Sequence, residues 1–169
     1  MKNLEIIDNF LDEKDYQQIY AIMLSPNFGW HVQIGKTYYA DFSKQLTHLF
    51  YDNNRPNSEF FDLLNPIRSK LNCETIIREK ANLTFYNDLE DDLFHIDVGK
   101  LNSKTSLFYL TDKGATTFKI DGKETTVEAK QNRMVTFACK IEHKAVCHKV
   151  GEPFRIVINL NYFEPPIDT

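Results

Sequence analysis

The sequence predicts a mainly β protein with flanking helices, built on a jelly-roll core of two packed sheets. Three observations carry this reading. From Thr75 onward, eight short strand-like segments follow one another, separated by turn residues. Ahead of them, two stretches repeat apolar residues at helical spacing. Aromatic side chains are abundant, with 13 Phe and 8 Tyr, and suit a pleated, β-rich core.

Taken in order, Leu4-Glu5-Ile6-Ile7 reads as a short strand. Asp12 to Leu24 reads as a helix with Asp12 as its cap and Tyr16, Ile19, Tyr20 and Met23 on one stripe. Pro26 and Gly29 end it, and Trp30 to Ala40 is strand-like. Ser58 to Leu71 reads as a second helix, capped by Ser58, with Phe60, Phe61, Leu64, Ile67 and Leu71 facing the core. Pro66 inside it implies a kink or a break. The eight strands are Thr75–Tyr86, Phe94–Val98, Thr105–Thr111, Thr116–Ile120, Thr125–Glu128, Met134–Ala138, Lys144–His148 and Phe154–Phe163, with a hairpin turn at Asp121-Gly122. The 169 residues are expected to form one domain, with helical support and recognition in 1–72 and the jelly-roll core in 73–163.

Charge and composition narrow the function. A net charge of −4 offers no broad basic surface, so nucleic acid is not an expected partner. No run approaches the roughly 18 apolar residues of a membrane span, and MKNLEIIDNF lacks the pattern of a secretory leader. Cys73, Cys139 and Cys147 are an odd set without metal-site spacing, which points to thiols in a reducing compartment, the cytoplasm. Oligomeric state is not encoded in any pattern of the chain.

The chemistry-bearing residues are His95, Asp97, His143 and Arg155. On a strand, side chains two apart share a face, so His95 and Asp97 can grip one ion. A second His from another strand, His143, completes a two-His, one-carboxylate set, which leaves coordination positions open and suits non-haem Fe(II). A lone His-x-Asp carries little weight, and structural histidines are the bland alternative. The last strand adds a separate signal. Phe154, Ile156, Ile158 and Leu160 share one face, while Arg155, Val157, Asn159 and Asn161 share the other. That second face either lines a wet cavity or lies open to solvent, and strand pattern alone does not choose.

In this order, on a strand-rich C-terminal half, His95-x-Asp97, His143 and Arg155 resemble the Fe(II)/2-oxoglutarate-dependent oxygenases, and in particular their prolyl-4-hydroxylase-like branch with its small bacterial and phage members. Ile6-Ile7-Asp8-Asn9-Phe10-Leu11, Leu107-Phe108-Tyr109-Leu110 and Arg133-Met134-Val135-Thr136-Phe137 are similar to segments of that branch. Two turns differ from it: Gly114-Ala115-Thr116, and Ala129-Lys130-Gln131-Asn132-Arg133.

The resemblance covers Leu4 to Phe163 and implies a double-stranded β-helix (jelly-roll) core. It implies Fe(II) on His95, Asp97 and His143, with 2-oxoglutarate and O2 as cosubstrates and ascorbate as an accessory reductant. Arg155 and Tyr109 would hold the far carboxylate of 2-oxoglutarate, with Tyr86, Asn159 and Asn161 orienting cosubstrate or substrate. The implied reaction hydroxylates a C–H bond, with a prolyl residue of a protein or peptide as the leading substrate and a free amino acid or other small molecule next. A non-catalytic metal-binding jelly roll is the rival of another class. Trp30, His31, Tyr38 and Tyr39 offer recognition surface, and Ser25 to Asn57 with Val98 to Lys104 would frame the cavity mouth. His148, five residues after His143, is a decoy for the ligand set and reads as a surface residue or a neighbour of the ligands, and Lys140, Lys144 and Lys149 read as a solvated face.

Overall fold

The computed structural model describes residues 4–34, 44–86, 93–98, 102–146, 151 and 153–165. Strand β1 (Leu4–Ile7) leads into helix α1 (Glu13–Met23). Asp12 caps the helix by accepting from the Asp15 amide at 2.9 Å, and Glu13 and Asp15 complement the positive end of the helix dipole. Tyr16, Ile19 and Met23 are its buried stripe. Three strands follow, β2 (His31–Ile34), β3 (Lys44–Asp52) and β4 (Arg55–Pro56), then a 3₁₀ turn over Phe61–Leu64 and helix α2 (Asn65–Lys70). Seven more strands complete the chain: β5 (Thr75–Thr84), β6 (Lys104–Tyr109), β7 (Ala115–Ile120), β8 (Lys123–Glu128), β9 (Arg133–Ala138), β10 (His143–Val146) and β11 (Arg155–Phe163).

The strands form two antiparallel sheets. The large one runs β1-β9-β6-β11-β5-β3-β2, with β4 beside β3, and the small one runs β10-β7-β8. The hairpin between β7 and β8 turns on Asp121 and Gly122, whose φ values of 49° and 75° are the two positive angles of a type I′ turn. Successive side chains on the large sheet enter different cores. Ile156, Ile158 and Leu160 of β11, with Phe108 of β6 and Met134 of β9, pack against Tyr16, Ile19 and Met23 of α1 and Ile67 of α2. Val157, Leu107, Tyr109, Val135 and Phe137 point the other way, toward Phe118 and Val127 of the small sheet. The result is a double-stranded β-helix with its helices on the outer face of one sheet.

Four details differ from the sequence reading. The stretch 44–52, to which that reading assigns no element, is the long strand β3. A register shift between Leu49 and Tyr51 breaks its alternation, which hides the period of two. The second helix is two short pieces. Pro66 lies at the start of α2, where its missing N–H costs no helical bond, and Ser58 accepts from the Phe60 amide ahead of the 3₁₀ turn. The expected strand Phe94–Val98 is reduced to a single bridge between His95 and His143. The first 72 residues also supply β1, β2, β3 and β4 to the large sheet, so the sheet crosses the expected division at 72/73.

Candidate metal centre

The bridge brings the two histidines together. The His95 amide donates to the His143 carbonyl at 3.0 Å, the reverse bond is also 3.0 Å, and the ring centroids are 4.7 Å apart. Each ring places Nδ1 near a backbone carbonyl two residues earlier, His95 on Leu93 at 3.1 Å and His143 on Ile141 at 3.2 Å. A carbonyl only accepts, so Nδ1 carries the proton and the Nε2 lone pair is left for a metal. Both Nε2 atoms turn to Asp97: His143 Nε2 lies 3.3 Å from Oδ2 and His95 Nε2 lies 3.8 Å from Oδ1. Donor atoms from all three residues fall within 4.8 Å of one another, and among the described residues this is the one such group. Donors about 3 Å apart surround an ion held by bonds of about 2.0–2.2 Å, so the set fits a single transition metal. His48 makes the contrast: its nitrogens are taken by the Gly29 carbonyl at 2.6 Å and Ser58 Oγ at 2.7 Å.

Asp97 is 8% exposed and is held from the large sheet. Asn159 of β11 donates to Oδ2 at 2.8 Å, and Arg78 of β5 approaches Oδ1 at 3.5 Å. Burial pushes the carboxyl pKa up, but a proton on His143 Nε2 in the absence of a metal, together with Asn159 and Arg78, outweighs it and holds the group below the ordinary carboxylate range. It is therefore an anion, in the form that binds a cation.

These side chains line a cavity of about 340 Å³ between the two sheets. Its wall on β5 is Arg78, Lys80, Asn82 and Thr84; β11 adds Arg155, Val157 and Asn159, and β2 and β3 add Gln33 and Gln45. Arg155 is 6% exposed, which resolves the choice left by strand pattern in favour of the cavity. It donates to Thr116 Oγ1 at 3.1 Å and to the Ala115 carbonyl at 3.3 Å, with its guanidinium 5.6 Å from the centre of the Tyr109 ring. Tyr109 donates its hydroxyl to Thr116 at 2.7 Å and is fully buried, so it steadies the Arg155 corner from behind.

The other expected residues fall elsewhere. Asn159 faces the cavity, but its amide is committed to Asp97. Asn161 is outside the lining and donates to Thr105 Oγ1 at 3.1 Å. Tyr86 lies past the end of β5, is 41% exposed and does not line the cavity. Trp30 packs in the helix-side core, on the far face of the large sheet, and donates to the Met23 carbonyl at 3.2 Å. Its place as recognition surface is withdrawn; Gln33 and Gln45 carry that region to the cavity instead. Tyr38, Tyr39, His148, Lys149, Cys147 and residues 99–101 of the expected mouth lie outside the described residues.

Arg78, Lys80, Asn82, Thr84 and Thr116 were not singled out from sequence. Part of the signal was present: Lys80, Asn82 and Thr84 alternate with Ala81 and Leu83, as polar and apolar residues do in the last strand, whereas the charged Glu79 hides the pattern between Arg78 and Lys80. On this wall Arg78 Nε, Asn82 Oδ1 and Asn159 Oδ1 are buried without a protein hydrogen-bond partner.

The arrangement is a candidate mononuclear metal centre set between the sheets of a double-stranded β-helix. No family model matches the sequence, and no curated protein matches it. Solved structures do share the fold. One is an oxidoreductase of the 2OG-Fe(II) oxygenase family from Burkholderia pseudomallei, with a TM-score of 0.72 and 13% identity over 95% of this chain and 85% of that one. Another is the non-heme alpha ketoglutarate dependent epimerase SnoN of nogalamycin biosynthesis, with a TM-score of 0.70 and 10% identity over 96% and 76%. A third is a prolyl hydroxylase from Trichoplax adhaerens, solved with a hypoxia inducible factor peptide, with a TM-score of 0.67 and 16% identity over 97% and 84%. At these identities the likeness shows that the chain has the fold of 2OG-Fe(II) oxygenase structures.

Proposed function

We propose that this chain is an Fe(II)- and 2-oxoglutarate-dependent dioxygenase that hydroxylates a C–H bond. The observation that carries the reading is the convergence of His95, Asp97 and His143 in the same cavity as the buried cation Arg155. Bound Fe(II) would supply oxidation by O2 coupled to conversion of 2-oxoglutarate to succinate and carbon dioxide. The chain supplies the holding. Two neutral imidazoles and one carboxylate neutralise half of a divalent charge and leave coordination positions open. Arg155 offers a planar fork to the far carboxylate of 2-oxoglutarate, and Thr116, fixed by Tyr109, stands beside it as a hydroxyl partner. Asn159 keeps Asp97 aimed. Val157 and Leu107 give the cavity floor an apolar strip.

For the substrate, the motif resemblance and the peptide-bound Trichoplax prolyl hydroxylase support a prolyl residue of a protein or peptide. A second reading, a free amino acid or other small molecule, is favoured by the strongly polar lining of a cavity of about 340 Å³. The three thiols and the acidic charge support a cytoplasmic enzyme without a nucleic-acid substrate. Ascorbate would serve as an accessory reductant.

The test is conversion of 2-oxoglutarate to succinate by the purified chain with Fe(II) in air, followed by a screen for substrates that gain one oxygen atom. Succinate should form with the wild type and fall at least 100-fold in Asp97→Ala. A wild type that binds metal yet makes no succinate with any candidate would support the non-catalytic module instead.

A further inference from the structure

The cavity holds more positive charge than the proposed cosubstrate uses. Among the described residues its lining carries three cations, Arg78, Lys80 and Arg155, against one carboxylate, Asp97. If the centre works as proposed, a divalent ion with Asp97 leaves one positive charge. Arg155 adds another, and the two carboxylates of 2-oxoglutarate cancel both. Arg78 and Lys80 then remain. Arg78 also loses its counterion, because the Asp97 oxygen that it approaches at 3.5 Å turns its charge to the metal.

These two cations are also remote from Arg155. In the sheet Arg155 pairs with Thr84, whereas Lys80 pairs with Asn159 and Arg78 with Asn161. At a strand rise of about 3.3 Å, Lys80 lies roughly 13 Å and Arg78 roughly 20 Å along β5 from the Arg155 row. One short carboxylate cannot serve both ends. Asn159 links Lys80's row to Asp97, so this second cation pair is adjacent to the metal ligands. Arg78 Nε and Asn82 Oδ1 are buried without a protein partner on the same wall. Burial and the charge of Arg78 bring the Lys80 pKa down to about 8, a strain that a bound anion would relieve.

We infer that Arg78 and Lys80 form a second anion station, beside the metal and opposite Arg155, which takes a carboxylate or phosphate group of the primary substrate. The assignment rests on the proposed function for its division of labour. It narrows the substrate to a molecule with an oxyanion near the oxidised carbon, and it favours a small acidic metabolite over a prolyl residue in the interior of a neutral peptide.

The experiment is a calorimetric titration of the full chain with inorganic phosphate and, separately, with acetate. Each is run alone and again with saturating Mn(II) and 2-oxoglutarate, on wild type, Lys80→Met and Arg155→Met. Phosphate or acetate should still bind when 2-oxoglutarate is saturating. Lys80→Met should weaken that binding roughly tenfold, the loss expected for one charge-assisted hydrogen bond, and weaken 2-oxoglutarate far less; Arg155→Met should do the reverse. Preference for phosphate would assign a phosphorylated substrate and preference for acetate a carboxylic acid.

Displacement of both anions by 2-oxoglutarate, or their unchanged binding to Lys80→Met, would overturn the second station. If 2-oxoglutarate itself fails to bind, the cosubstrate reading fails, while the comparison of wild type with Lys80→Met in its absence still decides the station. A measurement on the wild type guards against a misfolded variant: the Arg78 Nε–H resonance, assigned through Arg78→Lys, should move on adding phosphate, and a fixed resonance contradicts the proposal.

Discussion

Arg155 shows how a single charged residue is held in a buried corner of the cavity. A guanidinium is always charged, so burying it demands partners. Thr116 Oγ1 and the Ala115 carbonyl hold one nitrogen from the small sheet, and the Tyr109 ring lies beneath, which fixes the plane of the fork before any ligand arrives. Replacing Arg155 by Ala should weaken 2-oxoglutarate by 10- to 150-fold, equivalent to roughly 1.5–3 kcal/mol, with metal affinity nearly unchanged. Competition binding of 2-oxoglutarate in the presence of Mn(II) measures this, and an unaltered dissociation constant would remove Arg155 from the site.

His48 is the structural counterpart. Donating from Nδ1 to Gly29, it must accept at Nε2 from Ser58, whose oxygen already accepts from the Phe60 amide. A proton on Nε2 would cost the bond that Ser58 donates and force its hydroxyl to turn, and burial lowers the His48 pKa below the ordinary histidine value. The unfolded chain then binds the proton at higher pH than the native one. The stability is fully present above about pH 6.5 and declines as pH falls below it. The thermal midpoint of the wild type should drop between about pH 6.5 and 5, and His48→Gln should flatten that slope. An identical slope in both proteins would show that His48 does not titrate with folding.

At the scale of elements, β5 is the strand on which the helix-side core and the cavity meet. Its Arg78, Lys80, Asn82 and Thr84 face the cavity, whereas Ala81 and Leu83 enter the helix-side core. On that second face Glu79, 1% exposed, receives both Arg68 Nε at 2.8 Å and an Arg68 terminal nitrogen at 2.7 Å. Arg68 also donates to Asn65 and the Phe61 carbonyl and stacks 3.8 Å over the Phe61 ring, so α2 is tied to β5 at a defined height. Glu79→Ala would leave that guanidinium buried without its anion and should destabilise the fold by about 3–5 kcal/mol in urea unfolding. A loss under about 1 kcal/mol would mean that the pair is incidental to the docking of α2.

The elements also explain what the sequence could disclose. Helix α1, the β7–β8 hairpin and β11 were legible because their local signals agree with their tertiary surroundings: an Asp cap, an Asp-Gly turn, and an alternation interrupted only at Val157 before the shift at Asn161/Tyr162. β3 was illegible because its bulge shifts the phase midway. The convergence of His95, Asp97 and His143 was legible from spacing, although the reason given for it, a strand over Phe94–Val98, is replaced by one bridge that pairs His95 with His143 directly. The polar wall of β5 escaped notice for a physical reason: alternating charges on a strand look the same whether they face water or a cavity. Only the small sheet, folded over them, makes the difference.

For the whole molecule, the architecture assigns structure and chemistry to opposite faces of one sheet. Helices and an apolar core cover the outer face, and the inner face, roofed by β10-β7-β8, gathers His143 from the small sheet, Asp97 and His95 from the connection beside it, and the cations of β5 and β11. The central claim is that these elements converge on one metal ion. Anaerobic equilibrium titration with Fe(II) tests it most directly, on wild type and on His143→Ala. The account predicts one ion bound per wild-type chain and a loss of affinity of at least 100-fold in the variant, whose thermal unfolding should remain cooperative. Wild-type binding with no defined stoichiometry, or one ion held equally well by His143→Ala, would contradict it.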